Sequence, residues 1–317
     1  MALVIGMFFC GALFGDNIMD IYFNGDELNS RINSYINNVA SLVPDTSTLQ
    51  NVWSIAPKGD HFFGGGVNGS IAFLEQSKVG GLTEAFGADN IDLTQFPDGI
   101  PYLPCVSFDA RIGLYDFDFG ISGTWLDEGI LAENDIKFFG EGSSFALQSI
   151  GFDFRYTLPI KGLIKNEKYI DLLPLVTVHA GYFFTNLAFG ITARDSGRTE
   201  SVRVDLRNDS YLLGLHVSKD LLLGFLTPYA GVKMMLSKTD SEFSWNTNRP
   251  VIIKGQAYLN GVNYASAGND GSVNVYSQVY VGLGITYFSY LIAIGSAYTL
   301  GTNHFSINGS VRYIFGR

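Results

Sequence analysis

The sequence predicts an all-β chain, an antiparallel transmembrane β-barrel of about 10–14 strands with an N-terminal amphipathic helix before it. Three observations carry this. The closing block, Val273 to Arg317, holds three successive apolar/polar alternations joined by very short turns. Its runs, of roughly ten to thirteen residues, exceed the mean strand of a soluble sheet, about 5–6 residues. Finally, aromatics make up 14% of the chain, Gly supplies 37 residues and charged residues only 16%. Yet no apolar run approaches the roughly 20 residues that a membrane-crossing helix needs, so a helical membrane protein is excluded.

The chain opens with an apolar stretch of export-signal length, Met1 to Gly15, followed by polar Asp16-Asn17. Such a stretch is expected to be removed. Cys105 is then the one cysteine left, and no internal disulfide can form. From about Asp26 to Val43, Leu28, Ile32, Tyr35, Ile36, Val39 and Leu42 recur at helical spacing, while Asn29, Arg31, Asn33, Ser34 and Asn37 share the other face. Asp26 can cap the start and Pro44 forces the end. A helix with one apolar stripe cannot cross a membrane, but it can plug a lumen, lid a barrel or lie against a rim. The expected division is therefore a signal at 1–15, a helical plug or periplasmic segment at 16–59, and a barrel at 60–317.

Strands start at Phe62, with Phe63, Val67, Ile71 and Phe73 on one parity. The formal GxGxxG of Gly64 to Gly69 is continued by Ser70-Ile71-Ala72-Phe73 as a strand rather than a helix, which excludes a nucleotide loop. Alternation recurs at Val106–Leu114, Phe117–Trp125, Ser149–Leu158, Val176–Phe184, Tyr211–Val217, Ala230–Leu236, Val275–Ile285, Tyr290–Leu300 and His304–Phe315. Phe189–Ala193, Val202–Leu206 and Val251–Leu259 are weaker candidates for further strands. Outer-membrane barrels have short periplasmic turns and long outer loops. Loops at 74–103, 127–144, 186–200 and 238–272 are accordingly expected outside, with turns near 115, 220 and 287 inside.

Arg111, Arg155, Lys233 and Arg312 lie on the polar parity of their strands. A Lys or Arg facing lipid at mid-bilayer costs roughly 2–4 kcal/mol, so four of them would cost on the order of 8–16 kcal/mol. That matches the whole stability of a domain, about 5–15 kcal/mol. The polar rows must line an interior, with the Phe, Ile, Val and Leu rows in lipid. A soluble sandwich explains the alternation too; strand length and aromatic content favour the barrel.

Asp109, Arg111, Asp118, Asp153, Arg155, His179, Lys233 and Arg312 are the expected lumen-lining residues. They can form a charged constriction that selects solutes, or a ladder of salt bridges that fills the lumen, which is preferred because buried charges need partners in any case. His304 and Ser306, two apart on a strand, project to one side. The His-x-Ser resembles that of outer-membrane phospholipases and lipid A deacylases, but parity sets both residues inward with Arg312, and no enzymatic role is expected. His61, His179, His216 and His304 have no ligand spacing, so no metal or other cofactor is indicated. A net charge of −10 without a basic block excludes nucleic acid as a partner.

The end of the chain resembles the C-terminal β-signal of bacterial outer-membrane proteins, with Asn308, Ser310, Tyr313 and Phe315 at its spacing, Ser310 standing where Gly is usual. That resemblance implies the barrel-assembly machinery and outer-membrane lipid as partners, and the outer membrane of a diderm bacterium as location. A helical segment ahead of a barrel resembles in layout the FadL-like long-chain fatty-acid transporters, whose hatch blocks the lumen. Asn51-Val52-Trp53-Ser54-Ile55-Ala56-Pro57 occupies a place comparable to the hatch motif. The resemblance implies passive uptake of small, hydrophobic or mixed solutes past a plug carrying Leu28, Ile32, Tyr35, Ile36 and Val39. The alternative is a general porin, or a structural or adhesive barrel acting through its outer loops.

Overall fold

The structure, a computed structural model, describes residues 22–23, 61–73, 102–127, 143–160, 173–195, 198–248, 251–253, 256–258, 262–267 and 273–316. The expected signal and the helix with Leu28, Ile32, Tyr35, Ile36 and Val39 lie outside these residues.

Ten long strands form where apolar and polar residues alternate with period two. They are β1 (His61–Phe73), β2 (Tyr102–Leu114), β3 (Phe117–Asp127), β4 (Ser143–Thr157), β5 (Leu175–Asp195), β6 (Arg198–Ser218), β7 (Leu226–Thr247), β8 (Val273–Tyr287), β9 (Tyr290–Leu300) and β10 (His304–Phe315). Each pairs antiparallel with its neighbours in sequence, and the ring is closed by β10 on β1, from Phe305 opposite Phe73 to Phe315 opposite Phe63. Closure leaves the membrane-crossing strands no free edge, which is the condition for a sheet to cross lipid. Ten strands is the lower end of the expected range, because the weaker candidates are not separate barrel strands. Phe189–Ala193 and Val202–Leu206 are continuations of β5 and β6, and the described residues of the expected outer loop at 186–200 are strand. The expected loop at 238–272 likewise begins ten residues late, since β7 runs to Thr247.

The parity assignment places Phe63, Val67, Ile71, Phe108, Ile112, Val232, Ile294 and Val311 on the outside, with Phe108 60% exposed. The opposite parity is buried. Aromatics collect at both ends of the outer apolar band: Tyr290 on Tyr313, Tyr287 on Phe288, and Phe117 on Tyr156 at one rim; Phe73 on Phe305, and Tyr182 on Tyr211 at the other. Tyr290 and Tyr298 of β9 are eight residues apart, or about 27 Å along a strand and roughly 20 Å after a tilt near 40°. That is close to the height of a membrane-facing band, about 25 Å.

The first rim holds His61, Phe315 and the turns at 115–116 and 288–289. At the second rim β5, β6 and β7 do not stop. They run to 21, 21 and 22 residues against 11 to 15 for the other strands. The excess of about ten residues raises a sheet roughly 30 Å along the strand beyond the band. A short strand, Val262–Ala267, pairs antiparallel with the top of β7, setting Tyr264 opposite Trp245. We call this extension the tower. Within the connection from β7 to β8, Val251–Ile253 pairs antiparallel with Gln256–Tyr258 and parallel with Tyr22–Phe23, so part of the segment before the barrel is bound to a connection at the tower end.

Candidate functional site

A ten-strand lumen is narrow, so long side chains must lie along its wall rather than across open space. Inward glycines make the room. A Cβ at Gly66 would collide with the Arg312 side chain, and one at Gly120 with the Arg111 guanidinium and the Asp153 carboxylate. The same device seats Tyr229 over Gly282, Tyr280 over Gly231 and Phe183 over Gly151.

All eight expected lining residues are on the buried inner face. The pairing joins different strands rather than Asp and Arg two apart on one strand. Arg111 of β2 binds Asp118 of β3 and Asp153 of β4. Arg155 of β4 donates from Nε to both Asp118 oxygens at 3.0 and 3.1 Å, and from Nη2 to Oδ2. Asp153 also has the His179 Nε2 at 3.5 Å. Asp109, next to Arg111 on the same face, reaches instead over β1 to Arg312 of β10, whose Nε donates to both carboxylate oxygens at 3.1 and 3.2 Å and whose Nη2 lies 3.0 Å from Oδ2 as an ion pair. Three arginines and three aspartates thus form two chains along one wall from β10 to β5. Arg312 is 0% exposed and Arg111 2%. Ions this deep are tolerable only because each has partners of opposite charge; an unpaired one would cost several kcal/mol in desolvation.

The facing wall is aromatic. His216 of β6 stacks between Tyr229 and Tyr280 at centroid distances of 5.7 and 6.0 Å, and its Nδ1 is 3.1 Å from the Tyr280 hydroxyl. The Tyr229 hydroxyl donates to the Ile294 carbonyl at 3.2 Å. Lys233 lies on this wall, with Nζ 5.0 Å from the Tyr280 ring centre, within cation–π range. Sequence reading had no reason to single out His216, Tyr229 or Tyr280, since a lone aromatic on a polar parity carries no partner information. Below these layers Phe62, Leu291 and Ile314 cluster at the first rim; above them Phe183, Leu212, Met235 and Tyr276 do the same. His304 and Ser306 are buried in the inward row of Arg312, away from lipid. In the segment expected to carry the β-signal, Asn308 and Ser310 face inward while Tyr313 and Phe315 face outward.

The tower reverses the pattern. Above the aromatic rim, the inner parity carries Leu147, Leu187, Val204, Leu206, Phe243 and Trp245, each no more than 4% exposed. The outer parity carries Arg203, Asp205, Arg207, Asp209, Lys238, Asp240 and Glu242. The register runs without a slip from Leu175 opposite Ser218 to Asp195 opposite Arg198, so the reversal occurs inside continuous strands. On the outer face Arg203 donates to both Asp205 oxygens at 2.7 and 2.8 Å, and this pairing raises the guanidinium pKa further above its ordinary value.

No known protein-family model matches the sequence, and no curated relative matches it. Among solved structures, the chain is similar to the translocator domain of the autotransporter NalP from Neisseria meningitidis, with 7% identity over 89% of this chain and 97% of that one, TM-score 0.43. It is also similar to the outer membrane protease OmpT from Escherichia coli, with 8% identity over 84% and 100%, TM-score 0.40. A third is the CymD monoaromatic hydrocarbon channel, with 10% identity over 81% and 88%, TM-score 0.25. The closed ring of strand pairing defines the class, an antiparallel transmembrane barrel, independently of these likenesses.

Proposed function

We propose that this protein is a barrel of a diderm outer membrane that works through its tower, as a structural or adhesive element, with a lumen closed by its own side chains. One observation carries the reading: the Arg111–Asp118–Arg155 and Arg312–Asp109 chains, with the opposing Tyr229–His216–Tyr280 stack, bury the lining groups that an open pore would leave in water. The rule that short turns face the periplasm sets the 115–116 and 288–289 turns inward and the tower outward. In this reading the partners are outer-membrane lipid and the barrel-assembly machinery, which meets the strand of Asn308, Ser310, Tyr313 and Phe315. The inward placement of His304 and Ser306 supports a non-enzymatic role.

The second reading is passive uptake past a plug, the FadL-like layout. It is favoured by the pairing of Tyr22–Phe23 with Val251–Ile253, which ties the segment before β1 to the tower end. Planar-bilayer conductance separates the two. The tower reading expects the intact chain, and a chain lacking residues 16–59, to remain silent. Steady currents from the intact chain would overturn closure, and currents only after the deletion would move the assignment to plugged uptake.

A further inference from the structure

The outward face of the tower holds a cavity of about 570 Å³ between β4, β5, β6 and β7. We propose that it binds the phosphorylated headgroup of an outer-leaflet glycolipid, with Arg207 on a phosphate and the sugar against Ala146 and Ala188. The proposal rests on the outward orientation of the tower given above.

Position selects a lipid over a soluble ligand. The register builds the outer face in rungs: Ile150, Phe184, Asp209 and Lys238; then Gln148, Asn186, Arg207 and Asp240; then Ala146, Ala188, Asp205 and Glu242. The first rung ends the lipid-facing rows, since Ile150 and Phe184 are exposed apolar residues and Tyr211 and Leu236 stand directly below Asp209 and Lys238. The cavity rests on the next two rungs. A successive rung on one face is about 7 Å further along the strand. Whatever occupies the cavity therefore stands at headgroup height on the lipid side of the wall.

Charge and shape narrow the class. Arg203 is held by Asp205, and the Lys238 Nζ is 3.9 Å from Asp240. Arg207 lines the cavity, is exposed and forms no ion pair with a described residue, so its planar fork is open for two-point binding of a phosphate. Glu242 stands directly opposite Asp205, an arrangement of like charges that is unfavourable by itself. A divalent cation carried with the phosphate would relieve it. Ala146 and Ala188 leave a floor without bulk, flanked by Gln148 and Asn186.

The test uses the full chain in detergent micelles and fluorescent diphosphorylated lipid A as the probe. Saturable binding is expected, weakened roughly tenfold or more by Arg207→Glu, the cost of one charge-assisted bond, and only slightly by Lys219→Glu at the opposite rim. Lipid A stripped of phosphates should bind at least tenfold more weakly than the probe. Equal binding by the dephosphorylated lipid, equal weakening by the two variants, or no saturable binding would each overturn the site. Retained resistance to unfolding in detergent confirms that the variants fold. Asn246→Cys, exposed on the tower outside the cavity, should react on intact cells with a membrane-impermeant maleimide. Failure to label would overturn the outward orientation and the outer-leaflet assignment together, whereas lost probe binding with labelling intact would overturn the site alone.

Discussion

The lower and upper halves of β5, β6 and β7 are single strands in two solvents, and their side chains are arranged in opposite senses. In the lower half Leu213, Leu215, Val232 and Met234 face out and His216, Lys233 and Thr227 face in. In the upper half Arg203, Arg207 and Glu242 face out, and Val204, Leu206, Phe243 and Trp245 face in. The backbone pleat is unchanged, so the difference is not conformational. Outside the lower half is lipid, which excludes charge, and polar groups are sent inward where partners must be supplied. Outside the upper half is water, so the tower can bury an ordinary apolar core as a soluble sheet does. The crossover near Tyr182, Asp209 and Lys238 marks the membrane edge, with the Tyr182 hydroxyl donating to the Asp209 carboxylate there.

The largest effect should come from breaking the ionic wall of the lower half. Arg111→Ala leaves Asp153 with its His179 contact and Asp118 with Arg155 alone. Loss of one partner of a buried pair costs about 3–5 kcal/mol, read as a shift of the urea midpoint in lipid vesicles. A shift below about 1 kcal/mol would mean that water reaches these groups and the lumen is open. In the upper half Trp245→Ala removes the largest fully buried apolar side chain among the described residues and should cost roughly 3–5 kcal/mol locally. Hydrogen exchange should then quicken in 198–208 and 240–247 while the strands of the band stay protected. Uniform loss of protection would show that tower and band are one cooperative unit rather than two.

The smallest and most discriminating test compares one new charge in each half. Val232→Arg, on the outer face in mid-band, should cost about 2–4 kcal/mol. Glu242→Arg, also outward but in the tower, should stay within about 0.5 kcal/mol, as surface changes do. Equal costs would place the membrane edge elsewhere than at Asp209 and Lys238.

The reversal also explains what the sequence concealed. Along β5 apolar residues occupy even positions through Val178, Ala180, Tyr182 and Phe184 and odd ones from Leu187 onward. A reader following one apolar phase meets a break there and calls a loop, then a new weak strand at Phe189–Ala193. The same shift hides the union of Val202–Leu206 with Tyr211–Val217 and delays the end of β7. Phase is an accurate guide to strand geometry only while the outside solvent stays the same.

By itself the sequence determined the barrel class, a core of ten alternating segments within an expected 10–14, and the parity that turns Asp109, Arg111, Asp118, Asp153, Arg155, His179, Lys233 and Arg312 inward, because pleat parity and the cost of Arg in lipid are local properties. Tertiary structure alone decided the partners. Asp109 lies two residues from Arg111 yet pairs with Arg312, 203 residues away, because barrel closure brings β10 beside β1 and Gly66 leaves the Arg312 side chain room to cross it. It also decided that β5, β6 and β7 rise beyond the membrane as one tower with the end of β4 against its base, since nothing local to Phe189 or Val204 says which solvent will lie outside.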